Sequence, residues 1–307
     1  PTAILAPFYF LFFGLMLSDA AYGLILTTLC AIILKKYKPE GTTHRMIKMF
    51  MFCGLSTFMW GALFGGWFGN FFTVAAKTFF GKEFVIRPLW FDPLSEPMRL
   101  LVVSLILGAI HLFVGMGVQA YMDIKDGRPL DALFDIGLWY LLLIGIVLFA
   151  FGGKLGAGAV GIGKIMAIVG AVGILLTGGR KKKGIFGKLT GGLGSLYGIT
   201  SYLSDVLSYS RLLALGLATG VVAQVFNTLG SLAGGGIAGS ILLIVVFAFG
   251  TVFNIAINAL GAFVHSCRLQ YVEFFGKFYT GGGRPFAPFE RKTKYIKILK
   301  EGNDNVK

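Results

Sequence analysis

The apolar residues of this chain arrive in seven blocks, roughly 3–34, 46–76, 98–122, 132–151, 161–178, 193–229 and 240–278. A helix needs about 20 apolar residues to cross a hydrocarbon core about 30 Å thick. All the blocks meet that length except 161–178, which falls just short. Hydrocarbon offers backbone N–H and C=O groups no water, so such blocks must fold as helices. Charged residues make up 14% of the chain, against about 25% in a soluble globule. The implied fold class is an all-α integral membrane protein.

The net charge is +14. Nucleic-acid binding is excluded, because the charges sit in short clusters between apolar blocks and few aromatics interleave with them. Such clusters fit cytoplasmic connections under the positive-inside rule. Segments 35–48 and 180–188 and the tail from Lys277 are basic, which places them and the C-terminus on the cytoplasmic side. Seven crossings would leave the N-terminus outside. If 3–34 is instead a hairpin turning at Ser18–Asp19, there are eight crossings, and the polar interruption favours the hairpin. Blocks 193–229 and 240–278 would each reach on the order of 55 Å, so they must tilt, kink or project from the membrane. The expected organisation is a helix bundle over 1–190, two long helices over 191–279 and a cytoplasmic tail over 280–307. The chain starts at Pro1 and enters an apolar run almost at once, so a fragment or processed form is expected.

Cys30, Cys53 and Cys267 lie in or beside apolar runs and read as buried thiols. Gly152–Gly163 lacks the Walker spacing and reads as a connection or a small-residue packing surface. Gly61, Gly65, Gly66, Gly69, Gly108, Gly115 and Gly117 read as positions of close helix packing. There is no zinc spacing, nucleophile–His–acid set or cofactor motif, so no cofactor and no covalent catalysis by this chain alone are expected.

Arg211 falls at the midpoint of 193–229. An arginine at the centre of a membrane helix costs about 2.5–3.5 kcal/mol on insertion scales. Asp205 is at the wrong helical spacing to pair with it, which leaves an acid on another block, such as Asp19, or a functional role. Ser204, Ser208 and Arg211 share one helical face. In the next block Asn254, Asn258, Gly261, His265 and Arg268 run at spacings of four, three, four and three and line another. A polar stripe of this kind lines an ion path or a water-filled cavity; its alternative is hydrogen-bond glue between helices. Glu273 lies at the flank, where its plainest role is a salt bridge to a neighbouring base.

These residues resemble a known family. Ser208–Ala218, read as SYSRLLALGLA, is similar to the SYLRLWALSLA signature of the membrane stator subunit of V-type and A-type rotary ATPases. That protein is called subunit a in eukaryotes and subunit I in bacteria and archaea. Phe263–Phe289 resembles its C-terminal signature, in which HSLRLHWVE precedes a KFF run and a segment of spaced Gly and Phe. Residues 8–26 resemble the start of its membrane domain. The resemblance implies eight membrane helices, the last two long, tilted and curved around a rotor ring of c-type (proteolipid) subunits. It implies peripheral stalk subunits held by an N-terminal domain outside this sequence, and a soluble ATPase sector. Arg211 matches the arginine that faces the ring carboxylates, and Arg268 matches the second arginine. The implied activity is H⁺ or Na⁺ transport through two aqueous half-channels, coupled to ATP hydrolysis or synthesis. Three positions depart from the eukaryotic pattern: Leu213 replaces a Trp, Thr219 a His and Asn258 a Glu. The neutral Asn258 leaves room for Na⁺. Short loops and a compact span look prokaryotic, implying a plasma membrane. The alternatives are a secondary transporter, which predicts internal repeats and broken helices, and a structural membrane anchor, which leaves Arg211 unexplained.

Overall fold

The computed structural model describes residues 2–81, 85–154, 157–180, 185–232, 236–279, 281–283 and 286. Most of the expected tail over 280–307 and part of the basic segment 180–188 therefore lie outside the described residues. In chain order the helices are α1 (Thr2–Leu17), α2 (Ala20–Tyr37), α3 (Gly41–Phe64), α4 (Phe71–Phe80), α5 (Pro97–Lys125), α6 (Pro129–Ala132), α7 (Leu138–Phe151), α8 (Ala157–Thr177), α9 (Ile185–Ser208), α10 (Ser210–Ser231), α11 (Ile237–Arg268) and α12 (Phe275–Phe278). Two π-helical segments, Leu133–Gly137 and Leu269–Phe274, join α6 to α7 and α11 to α12. No strand occurs among the described residues. Seven spans are long and apolar enough to cross a membrane, and α1 is a shorter apolar helix of 16 residues. The protein is thus an all-helical integral membrane protein.

Block 3–34 does break at Ser18–Asp19. Ser18 takes a left-handed φ of 35°, and Asp19 caps α2. Both arms then lie along α3. A Cβ on Gly14 of α1 would strike Ser56, and one on Gly23 of α2 would strike Gly54 and Phe58. The two arms therefore run in opposite directions, with α3 wedged beside both.

Block 46–76 is not one continuous helix. α3 stops at Gly65, whose φ is 74°, and Gly69 turns the chain again at φ 64° before α4 begins. No side chain other than glycine takes such φ values cheaply. Gly65 and Gly69 are therefore turn residues; Gly69 is also a close-packing position, since a Cβ there would lie 2.7 Å from Ala223 of α10. Gly61, Gly108 and Gly115 do sit at helix contacts, against Ala20, Tyr209 and Phe274.

Gly152–Gly163 is a packing surface in its described part. Gly163 of α8 fits against Phe149 of α7, and Gly145 of α7 against Ala167 of α8. Small residues let two backbones approach where hydrophobic collapse gives no advantage, because lipid tails are as apolar as leucine.

The last two spans are long, as expected: 42 residues over Thr190–Ser231 and 40 over Gly239–Phe278. Neither is a plain α-helix. The first breaks at Tyr209, and the second passes through the π segment Leu269–Phe274. The main core gathers Phe12, Phe13, Leu15 and Leu17 of α1 with Leu100 of α5, Leu212 of α10, Ala262 of α11 and Leu269. A second cluster centres on Trp139, Met116 and Ile174.

A Cβ on Gly61 would lie 2.0 Å from the backbone nitrogen of Ala20. Gly61→Val is expected to destabilise by about 1–3 kcal/mol through overpacking, read as a lowered thermal midpoint in detergent. Gly161, with nothing near its Cβ direction, is the control: Gly161→Ala is expected to stabilise, by less than about 1 kcal/mol.

Candidate functional site

α10 and α11 pack antiparallel. A Cβ on Gly250 would press 2.5 Å from the Phe226 ring, one on Gly230 would lie 2.9 Å from Leu243, and Gly261 faces Leu215. This register sets the start of α10 beside the end of α11, and Arg211 stands there. Its Nη1 lies 3.7 Å from Oε1 of Glu273 in the π segment, with side-chain exposures of 25% and 2%. A charge-assisted N–H···O bond is shorter, about 2.7–2.9 Å. Arg211 Nη1 and Glu273 Oε2 both lack hydrogen-bond partners among the described residues. The two groups are electrostatic neighbours, not a locked fork. The acid beside Arg211 is Glu273, so the salt bridge expected of Glu273 and the acid sought for Arg211 are one contact.

Behind Arg211 the chain is pinned by aromatic packing. Tyr209, at the α9–α10 break, is fully buried, and its hydroxyl lies 2.8 Å from Nδ1 of His111 on α5. The His111 ring stacks on Phe274 at 4.3 Å and meets the Phe12 ring edge-on at 5.0 Å. Gly108 makes room for the Tyr209 ring, because a Cβ there would lie 2.3 Å from it. Within the π segment Gln270 and Glu273 are both almost fully buried. π segments widen a helix by one residue per turn and recur at functional sites. Buried polar atoms without a partner cluster here: His265 Nδ1 and the amide nitrogen of Gln270.

Arg268 ends α11 on an exposed position. The charges of Arg211 and Arg268 both reach His265 and Glu273. Ser208 donates its hydroxyl to the Ser204 carbonyl at 3.1 Å, so these serines continue the Arg211 face along α9. Lys277 pairs with Asp205 and lies 4.0 Å over the Tyr202 ring.

The stripe on α11 divides. Asn254 is fully buried and donates to the Tyr22 hydroxyl at 3.0 Å and the Thr219 carbonyl at 3.1 Å. Asn258 donates back to Asn254. Asn254 thus ties α11 to α2 and α10, the glue alternative, whereas His265 and Arg268 lie at the Arg211 end.

Asp19 lies beside the middle of α10, near Gly216 and Gly220. Oδ1 accepts from the backbone N–H of Ala21, Tyr22 and Phe68, and Oδ2 accepts from Gly69 at 3.0 Å. It is a cap for α2 and a clamp on the 65–70 turn, and it does not meet Arg211. Beside it is a cavity of ≈ 220 Å³ lined by Asp19, Asn70, Asp92, Gly216, Gly220 and Gln224. Asn227, deeper on α10, donates to the Phe68 carbonyl at 2.9 Å.

His111, Tyr209, Gln270, Thr219 and Asn227 are absent from the sequence-based site. Each is a polar or part-polar residue inside an apolar block, and the rarity of such residues in membrane helices was the available signal. Among the described residues no group of His, Cys, Asp and Glu has the arrangement of a metal site.

An all-helical membrane protein whose two longest spans bring an arginine, a buried carboxylate and a histidine to one place belongs to a narrow class. Residues 199–291, the segment holding Arg211, His265, Arg268 and Glu273, match the V-type ATPase 116kDa subunit family. The chain is 35% identical over 326 residues to a protein named A-type ATP synthase subunit I from Methanocaldococcus jannaschii, covering 96% of this chain and 45% of the relative. It is 37% identical over 306 residues to A-type ATP synthase subunit I from Thermococcus kodakarensis, covering 97% and 44%. It is 25% identical over 309 residues to V-type ATP synthase subunit I from Borreliella burgdorferi, covering 94% and 48%. The chain belongs to the V/A-type ATPase subunit I family, and it spans about half the length of the curated relatives it matches.

Each buried N–H left without an acceptor costs about 1–3 kcal/mol. Asp19→Ala is expected to destabilise by several kcal/mol, and Asp19→Asn, which keeps one acceptor oxygen, by less. Thermal unfolding of the purified variants in detergent gives the order.

Proposed function

We propose that this chain is the membrane part of the stator of a rotary V/A-type ATPase, and that Arg211 is its working charge. The observation that carries this reading is the loose contact of Arg211 with Glu273. A guanidinium has five N–H donors in a rigid fork. An arginine kept for structure alone would be held in a bidentate pair. Arg211 stands 3.7 Å from its neighbour and its side chain stays 25% exposed, which leaves part of the guanidinium open to a further carboxylate supplied from outside the chain.

The surface beside it suits such a supplier. Val221 and Val225 of α10 and Phe253, Ile257, Leu260 and Val264 of α11 are exposed. We assign this apolar face to the rotor ring of c-type subunits. In the proposed cycle a ring carboxylate crosses the lipid neutralised by an ion. Facing Arg211 it is favoured in the charged form, because a nearby opposite charge stabilises ionisation, and the ion departs. The polar groups around Glu273, His265, Arg268, Ser208 and Ser204 form one aqueous access, and the cavity beside Asp19 forms the other. The Asn254 and Asn258 hydrogen bonds lie between them. Each charge moved through 100 mV is worth about 2.3 kcal/mol, so several ions per ATP suffice for coupling. Residues 191–279 do the transport and 1–190 brace them. The basic end, with the C-terminus, is cytoplasmic; counting α1 there are eight crossings, in a prokaryotic plasma membrane. Peripheral stalk subunits and the soluble ATPase sector complete the complex. H⁺ and Na⁺ are both compatible with this site.

Arg211→Ala in the assembled, liposome-reconstituted complex is expected to lower ATP-driven ion uptake to background while subunit content stays unchanged. The double variant Arg211→Ala/Glu273→Gln removes the uncompensated carboxylate and is expected to remain inactive. Recovery of uptake in the double variant would mean that Arg211 serves only to neutralise Glu273. Wild-type uptake measured with H⁺ and Na⁺ varied separately identifies the ion.

A further inference from the structure

A cleft of ≈ 520 Å³ lies between α1, α3 and the end of α11, with Tyr9, Met49, Phe52, Cys53, Cys267 and Gln270 in its walls. Its volume falls within the roughly 300–1,000 Å³ of small-molecule sites. It opens beside Phe52, which is 46% exposed, on the outer face of α3 with Leu55 and Met59. In a membrane protein that face meets lipid.

Two features distinguish it from an ordinary gap between helices. The first is Gln270, which is 1% exposed and lines the cleft; its amide oxygen faces the His111 ring, and its amide nitrogen is not hydrogen-bonded among the described residues. A buried polar side chain is normally satisfied, and here the amide nitrogen awaits a partner. The second is charge. Arg45, Met49, Phe52 and Cys53 fall on one face of α3 by helical spacing. Arg45 therefore stands one turn above the cleft on the basic side, with Lys48 beside it, and both are exposed. Residues 41–82 contain no Asp or Glu to neutralise them.

We infer that this cleft is a binding site for one anionic glycerolipid. An alkyl chain fills the cleft, oxygens of the glycerol region meet the Gln270 amide, and the phosphate rests on Arg45 and Lys48. Apolar contact alone would not select a lipid, because the chain leaves one hydrocarbon surrounding for another. Selectivity rests on the charges and on the orphaned amide nitrogen. The inference does not depend on the rotary reading.

The test is native mass spectrometry of the intact complex in detergent, titrated with phosphatidylglycerol or phosphatidylcholine. The wild type is expected to keep one phosphatidylglycerol bound more tightly than phosphatidylcholine. A juxtamembrane base contributes roughly fivefold in affinity for anionic lipid, so Arg45→Ala/Lys48→Ala is expected to weaken phosphatidylglycerol by more than tenfold and phosphatidylcholine hardly at all. Ala6→Trp, at an exposed position that lines the cleft, is expected to abolish the bound lipid. Ile106→Trp, exposed on α5, is expected to change nothing. Lipid retention unchanged in Ala6→Trp would overturn the site. Equal binding of the two lipids, insensitive to Arg45 and Lys48, would overturn its anionic character. Displacement of the lipid by soluble glycerol phosphate would reduce it to a phosphate contact without a chain site.

Discussion

A guanidinium inside a long apolar span is the constraint around which this protein is built. Burying the Arg211 charge is unfavourable by about 2.5–3.5 kcal/mol even on lenient insertion scales. The chain offsets this with a carboxylate 3.7 Å away, that of Glu273 in the π segment, where Gln270 is buried as well. The break at Tyr209 is the matching distortion on the partner helix, and the Tyr209–His111 hydrogen bond and the Phe274 stack lock both distortions into one core.

The middle of α10 is organised by a second carboxylate with a different task. Asp19 satisfies backbone N–H groups of α2 and of the 65–70 turn, so it ties the entry hairpin to the end of α3. That clamp brings Gly69 against Ala223, where a Cβ would lie 2.7 Å away, and Asn227 against the Phe68 carbonyl. The far half of α10 is thereby fixed to the first three helices. Two carboxylates, one capping backbone and one facing an arginine, hold α10 at its middle and at its start.

Much of this was legible in the residues. Block length alone fixed the all-helical membrane class, and Ser18–Asp19 announced the hairpin because a polar pair cannot sit idle inside an apolar run. Arg211 stood out for the same reason. What stayed hidden required knowledge of which helix faces which. Gly65 and Gly69 read only as helix-packing glycines because nothing local distinguishes a small residue at a contact from one at a left-handed turn. Asp19 and Glu273 are both buried acids, and only the antiparallel register of α10 and α11 shows which one meets Arg211. The π segment has no signature of its own in Leu269–Phe274, so the change of helix type there could not be read. Helical spacing put Asn254 and Arg268 on one stripe, yet one ends in a hydrogen-bonded seam and the other on the surface.

That seam matters for the proposed transport. A protein that lets ions approach a charge from two sides must be polar at both ends and closed between them. Asn254 is polar, but its amide is occupied by the Tyr22 hydroxyl and the Thr219 carbonyl, and Asn258 is bonded to Asn254. Hydrogen bonds already made within the protein give an ion or a water chain nothing to replace, and opening them would strand buried donors at about 1–3 kcal/mol each. Leu212, Gly216 and Thr219 continue the closed side of α10, all of them buried. A seam of satisfied amides between two polar ends is therefore a better seal than its composition suggests. It lets the same helix pair carry polar groups along its length without becoming a leak.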